Sequence, residues 1–122
     1  MRLLAAAVVA LVLVACGGEG SNEGLSEREL VAKGDRLFHG KGTCAVCHGA
    51  NLGGTVMGPP LVDVRYAPSK LPDQAIHDAV RNGVQPKNWD LGPMLALPHV
   101  SDADIEAIVA YVRSVQREHG IN

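Results

Sequence analysis

Apolar residues recur at helical spacing in three separate stretches of the chain. The clearest stretch has its apolar residues at the three- and four-residue steps of one buried helix face: Ile105, Ile108, Val109, Val112 and Val115. Ser101 precedes this stretch as an N-cap, and acidic residues come early in it and basic residues late, which is the order that a helix dipole favours. We therefore predict a helix over residues 102–118.

Two further helices are predicted upstream. Ser26 and Glu29 match a capping box, which opens a helix over residues 27–39. Its apolar stripe consists of Leu30, Val31, Gly34, Leu37 and Phe38. Pro72, a residue favoured in a first helical turn, begins a helix that runs to Asn82, and Gly83 ends it.

The connections between these helices, residues 44–67 and 84–100, are rich in Gly and Pro and show no strand-like alternation. The predicted fold class is therefore all-α. Long connections of this kind are uncommon in a compact domain unless they wrap a large ligand. The chain also has only one Trp, one Phe and two Tyr, and a small domain with so thin a core usually needs another source of stability.

The N-terminus has the pattern of an export signal. Arg2 is followed by an apolar run over residues 3–15, which is shorter than the roughly 20 residues that span a bilayer. The run ends in Leu13-Val14-Ala15-Cys16, which resembles a bacterial lipobox. Cleavage before Cys16 would leave a lipidated cysteine as the first residue. The alternative is a plain secretory signal in which Cys16 is unmodified.

This pattern divides the chain into a removed signal peptide, residues 1–15, a lipidated cysteine with a flexible tether, residues 16–25, and a folded domain, residues 26–122. The expected location is the bacterial cell envelope, with the lipid inserted in a membrane. Loss of Arg2 changes the net charge from −2 to about −3. A mildly acidic chain without clustered Lys and Arg argues against a nucleic-acid partner.

Cys44-Ala45-Val46-Cys47-His48 is the attachment motif of c-type haem. Two thiols one turn apart can form thioethers with the two haem vinyl groups, and His48 offers its imidazole to the iron. A thioredoxin-like redox motif would need a βαβ setting, a zinc site would need a fourth ligand, and a disulfide over so short a loop would stabilise little. We predict one covalently attached haem c bound by Cys44 and Cys47, with His48 as an iron ligand.

With this motif in place, residues 26–118 resemble the class I cytochrome c family. The first and last helices of that family cross closely through a small residue and aromatic rings, and Gly34 and Phe38 fall at the matching places, as do Ile108 and Tyr111. The resemblance implies a small cytochrome c fold, in which three main helices and Gly/Pro-rich loops surround one haem.

The resemblance also implies roles around the iron. Gly58-Pro59-Pro60-Leu61 is similar to the family's G-P-x-L segment, so the Pro59 carbonyl would accept the Nδ1 proton of His48. A rigid turn is the simpler interpretation, and the two are compatible.

Met94 lies in the loop where the family keeps its axial methionine, and it is the expected second iron ligand. Met57 is only nine residues after His48 and belongs to the proximal loop. The chain departs from the family's frequent Met-Pro order, because proline here precedes Met94. His99 is the alternative ligand.

Three residues are candidates for contact with the haem propionates: Trp89, Tyr66 and Arg65. Packing against the haem edge is the alternative for Trp89, and ordinary surface positions are the alternative for the other two. His39 and His77 are expected to be solvated.

Two axial protein ligands leave iron no open position, which favours electron transfer over substrate binding. The predicted function is a membrane-tethered carrier of single electrons between redox proteins, and we expect no catalytic residues. Two alternatives stay open: a cytochrome subunit bound permanently in a respiratory or oxidising complex, and a haem-based sensor or enzyme in which Met94 leaves the iron.

Overall fold

The computed structural model describes residues 20–86 and 90–122, so the predicted signal peptide and Cys16 lie outside it. Its regular elements in chain order are α1 (Glu27–His39), α2 (Cys44–His48), a 3-10 helix (Val64–Tyr66), α3 (Asp73–Asn82) and α4 (Asp102–Glu118). Within the described ranges the only strand-like pairing is one antiparallel bridge between Val84 and Met94. The all-α prediction is confirmed. No helix in this part of the chain is long and apolar enough to cross a membrane.

The bounds of α1 and α4 are those predicted from the sequence. The capping box at α1 forms as expected: the Ser26 hydroxyl accepts from the Glu29 amide, and the Glu29 carboxylate accepts from the Ser26 amide. Ser101 caps α4 by accepting from the Asp104 amide. The prediction for α3 was wrong by one residue, because Pro72 is the extended N-cap and not the first helical residue.

Helices α1 and α4 cross in close contact at Gly34. A β-carbon built on Gly34 would lie 1.9 Å from the Ala107 carbonyl oxygen and 2.7 Å from Cβ of Tyr111. One turn further on, the Phe38 and Tyr111 rings lie 5.4 Å apart between centroids. Phe38 is 1% exposed, and it belongs to the same buried cluster as Ile108. The predicted crossing through a small residue and aromatic rings is therefore confirmed.

The predicted loop over residues 44–67 contains two short helices that the sequence pattern did not indicate, α2 and the 3-10 helix. Neither spans two full turns, so neither can display the periodicity on which a helix prediction depends. Both are stabilised by contacts with other parts of the chain.

The tether prediction was wrong for Asn22. Its side-chain amide donates to the Ala103 carbonyl and to the Glu106 carboxylate, each at 2.7 Å, and its oxygen accepts from Lys33 at 2.8 Å. Asn22 is thereby attached to both α1 and α4. Its Gly- and Ser-rich neighbours suggested a solvated segment, whereas the contacts with Ala103 and Glu106 join residues 81 and 84 positions apart, which no local pattern reveals.

Candidate functional site

Helix α2 places both predicted thiols on a single turn at the edge of the core. Cys44 is buried and belongs to the main apolar cluster, whereas Cys47 is half-buried. Thr43, directly before the helix, has φ +55°, and Leu52, shortly after it, has φ +57°. Such left-handed backbone is uncommon outside glycine and costs about 1–3 kcal/mol per residue. The surrounding packing therefore imposes the shape of this turn.

The two thiols are not linked to each other. Burial raises the pKa of the Cys44 thiol to about 11. A redox-active CxxC motif lowers the pKa of its reactive cysteine instead, so the thiol of Cys44 does not match that alternative. Residues 20–86 and 90–122 contain no group of three or more His, Cys, Asp or Glu side chains that could hold a metal ion.

His48 is oriented by the segment that follows it. Its Nδ1 lies 2.9 Å from the Pro59 carbonyl oxygen, which is the contact that the family resemblance implies. If Nδ1 donates to this carbonyl, Nε2 carries no proton and can act as a ligand. The His48 carbonyl itself accepts from the Gly54 amide at 2.7 Å. The segment after α2 therefore contacts both the ring and the backbone carbonyl of His48.

Thr55, which the sequence analysis missed, and Gly58 keep this segment against α2. The Thr55 hydroxyl donates to the Cys47 carbonyl at 2.6 Å. Gly58 packs on the same peptide group, since a β-carbon there would lie 2.7 Å from the Cys47 oxygen. Only a glycine permits so close an approach, and the Gly-Pro pair in the sequence was the available signal for it.

The three candidate distal ligands are placed differently. Met94 packs against the main apolar cluster, and its backbone pairs with Val84 through two 2.9 Å hydrogen bonds. Met57 is 52% exposed. His99 is also exposed, and its Nε2 contacts the Lys41 carbonyl at 3.1 Å. Of these three, only Met94 is partly buried against the main apolar cluster.

The residues predicted to contact the haem propionates differ in their burial and in their hydrogen-bond partners. The Tyr66 hydroxyl is buried and has no hydrogen-bond partner among the described residues. Arg65 is exposed and donates to Asp63 through Nε and Nη2, at 3.0 and 2.8 Å. That pair lowers the pKa of the Asp63 carboxyl to about 2. Trp89 lies outside the described residues.

His39 is exposed at the surface, as predicted, whereas His77 is half-buried, and both histidines have protein partners. His39 is placed between the carbonyls of Asp35 and Ala50, each at 2.9 Å. The Ala50 carbonyl is the main cause that raises the pKa of His39. His77 Nε2 contacts the Asp102 carboxylate at 3.1 Å.

Taken together, these donors fit a covalently attached haem. They comprise two unlinked thiols on one turn, an imidazole fixed through Nδ1, an anchored thioether and a buried phenol without a protein partner. A burial that leaves a hydroxyl unpaired costs about 1–3 kcal/mol, which a propionate oxygen at Tyr66 would recover.

Comparison with known proteins agrees with this chemistry. A family model described as Cytochrome c matches residues 31–116, more than two thirds of the chain. A comparison with curated proteins finds no matching sequence.

Proposed function

Because the chain belongs to the cytochrome c family, whose members transfer electrons through covalently attached haem c, we propose that it is a membrane-tethered, monohaem carrier of single electrons. Its cofactor would be held by Cys44 and Cys47, and His48 and Met94 would be the axial ligands. The observation that carries this proposal is the turn of α2, where both thiols and an imidazole oriented by Pro59 share five residues.

The bound haem supplies an iron centre that accepts and releases one electron. The thiols of Cys44 and Cys47 would hold it through thioether bonds. His48, whose Nδ1 contacts the Pro59 carbonyl, would offer Nε2 to the iron, and Met94 would offer its sulfur. A sulfur ligand raises the reduction potential, and two protein ligands leave no position for a substrate. This ligand set favours the carrier over the sensor or enzyme.

The exposed apolar side chains near α2 suggest how a redox partner approaches. Val46 is 61% exposed and Val56 is 90% exposed, and Val56 lies in the segment that Thr55 attaches to Cys47. Residues 42–62 contain no charged side chain. We propose that partners bind this uncharged surface transiently. A permanent complex subunit would be favoured by a large apolar patch elsewhere on the domain.

Replacement of Met94 tests the ligand set. We expect the oxidised protein to show the weak near-infrared charge-transfer band of sulfur-to-iron coordination, and Met94→Ala to abolish it. Met57→Ala is the matched control, because it removes an exposed thioether from the proximal loop, and it should leave the band unchanged. Loss of the band in Met57→Ala, with retention in Met94→Ala, would show that the ligand is misassigned.

Membrane attachment is proposed through a lipid on Cys16. The support for this proposal is the lipobox-like sequence. The structure shortens the segment that would connect the lipid to the folded domain. Since Asn22 is bonded to α1 and α4, only six residue steps separate Cys16 from the folded domain. Six steps extend to at most about 20–22 Å. The donor and acceptor would therefore present their sites close to the membrane that carries the lipid.

Replacement of Cys16 tests the anchor. Buried acyl chains contribute about 0.8 kcal/mol per methylene, so the native protein should fractionate with membranes. Cys16→Ser should be soluble, keep its haem spectrum and lose electron flux to membrane partners through dilution. Flux is measured in cells at equal copy number. Undiminished flux from the soluble form would show that tethering is not the purpose of the lipid.

A further inference from the structure

Helix α4 carries two buried polar side chains that the sites described so far do not use. Arg113 is 6% exposed and Gln116 is fully buried. They lie three residues apart on the face of α4 that also buries Val109 and Val112. A buried guanidinium or amide is costly unless its hydrogen bonds are satisfied, so their partners indicate what they do.

The partners are backbone carbonyls of the segment between α2 and α3. Arg113 donates to the carbonyls of Tyr66, at 2.8 Å, and Leu71. Gln116 donates to the carbonyls of Leu61, at 2.9 Å, and Tyr66, at 3.1 Å. Two side chains of one helix thus attach the segment 61–71 at its start, middle and end.

The two side chains are themselves fixed. Arg113 donates to the Gln116 side-chain oxygen at 2.8 Å, and its Nε donates to the Asp73 carboxylate at 2.7 Å. Arg113 therefore has its donors distributed over four different groups, and Gln116 uses both its oxygen and its amide. The guanidinium fork suits such a fixed arrangement, which a flexible ammonium cannot reproduce.

The middle attachment point is Tyr66, whose hydroxyl is one of two buried side-chain polar atoms without a hydrogen-bond partner in the described part of the chain, the other being Nδ1 of His77. Its carbonyl accepts hydrogen bonds from both Arg113 and Gln116. Helix α4 therefore fixes the backbone unit that carries the phenol.

We propose that Arg113 and Gln116 are positioning residues, which place the Tyr66 hydroxyl to donate a hydrogen bond to a haem propionate and thereby tune the reduction potential. This inference rests on the proposed function. A propionate without its donor keeps more negative charge near the iron, which favours the oxidised form. Hydrogen bonding near a haem is an established means by which proteins set potentials.

The test is the reduction potential of the holoprotein, measured by spectroelectrochemical titration. Tyr66→Phe should lower the equilibrium constant for reduction by up to about tenfold, which is about 59 mV for one electron. Gln116→Met removes the amide without changing charge, and it should lower the potential in the same direction. In the Tyr66→Phe background, Gln116→Met should cause no further change, because both substitutions act through one hydroxyl.

Two variants complete the design. Arg113→Lys keeps the charge but cannot serve all four partners, so it should lower the potential even if Gln116→Met fails to fold. Arg117→Gln is the control on the same helix, since Arg117 is half-exposed and its side chain pairs with Glu27 rather than with the segment 61–71. It should leave the potential unchanged.

Specific outcomes would overturn the inference. If Gln116→Met or Arg113→Lys lowers the melting temperature but not the potential, the network is only structural. A potential shift that persists in the Tyr66→Phe background would exclude action through the hydroxyl. If Tyr66→Phe has no effect while Met94→Ala still abolishes the sulfur band, the inference fails and the proposed haem ligation stands.

Discussion

Cys44→Ala/Cys47→Ala protein made without haem is expected to show no cooperative thermal unfolding. The main apolar cluster of the described residues contains one aromatic side chain, Phe38, and is otherwise aliphatic apart from Cys44. Residues 49–63, between α2 and the 3-10 helix, contain no helix or strand. A ligand bound only by the native state adds its full binding free energy to the free energy of unfolding. Loss of haem therefore removes a large share of the stability of the fold. We expect retained helix content without fixed side-chain packing.

The measurement is far-UV and near-UV circular dichroism during a thermal scan. Helical far-UV signal with a weak near-UV signal and no sharp transition is the expected result, as for a molten globule. The matched control is Cys16→Ser, which removes a cysteine but leaves the attachment motif intact, and it should unfold cooperatively with its haem. A sharp transition in the haem-free double variant would show that the polypeptide core suffices.

Gly34→Ala is expected to destabilise the folded protein although alanine is the better helix former. In an exposed helix interior this substitution would stabilise by about 1 kcal/mol. Here the added carbon would lie 1.9 Å from the Ala107 oxygen and 2.7 Å from Cβ of Tyr111, so α1 and α4 must separate. Overpacking of this kind typically costs about 1–3 kcal/mol and occasionally more.

The change is measured as the melting temperature of the holoprotein. For a domain of this size, each kcal/mol corresponds to about 4–8 °C, so we expect a fall of about 4 °C or more. Gly53→Ala is the control, since a β-carbon there meets no atom within 4 Å and its backbone is not left-handed. It should leave the melting temperature nearly unchanged. An unchanged or raised melting temperature in Gly34→Ala would contradict the close crossing.

Much of the site follows from local sequence. The spacing from Cys44 to His48 is enough to predict the attachment site, because two thiols and an imidazole within five residues lie close together whatever surrounds them. The bounds of α1 and α4 were equally predictable, since a capping residue and a regular apolar stripe are local properties. The resemblance also indicated Pro59, and His48 Nδ1 lies at its carbonyl.

Other features depend on contacts between distant parts of the chain. Arg113 looked like a basic residue that complements the end of a helix dipole, yet it is buried against the segment 61–71. Gln116 continues the apolar stripe of α4, and that position was the available signal that it faces inward. Their roles emerge only when α4 packs against that segment, because a polar side chain is solvated or buried at the same helical position according to what packs there.

The same distinction between local sequence and tertiary contact applies to the fold and to the site. Local sequence predicted the three longest helices and the attachment motif, because each depends on neighbours in the chain, and the family resemblance indicated the close passage at Gly34. Tertiary structure decided that Asn22 is attached to α1 and α4, that Met94 is anchored and Met57 exposed, and that the Tyr66 hydroxyl is buried. These outcomes depend on which surfaces meet, and hydrogen bonds between residues 47 and 81 positions apart leave no periodic trace in sequence.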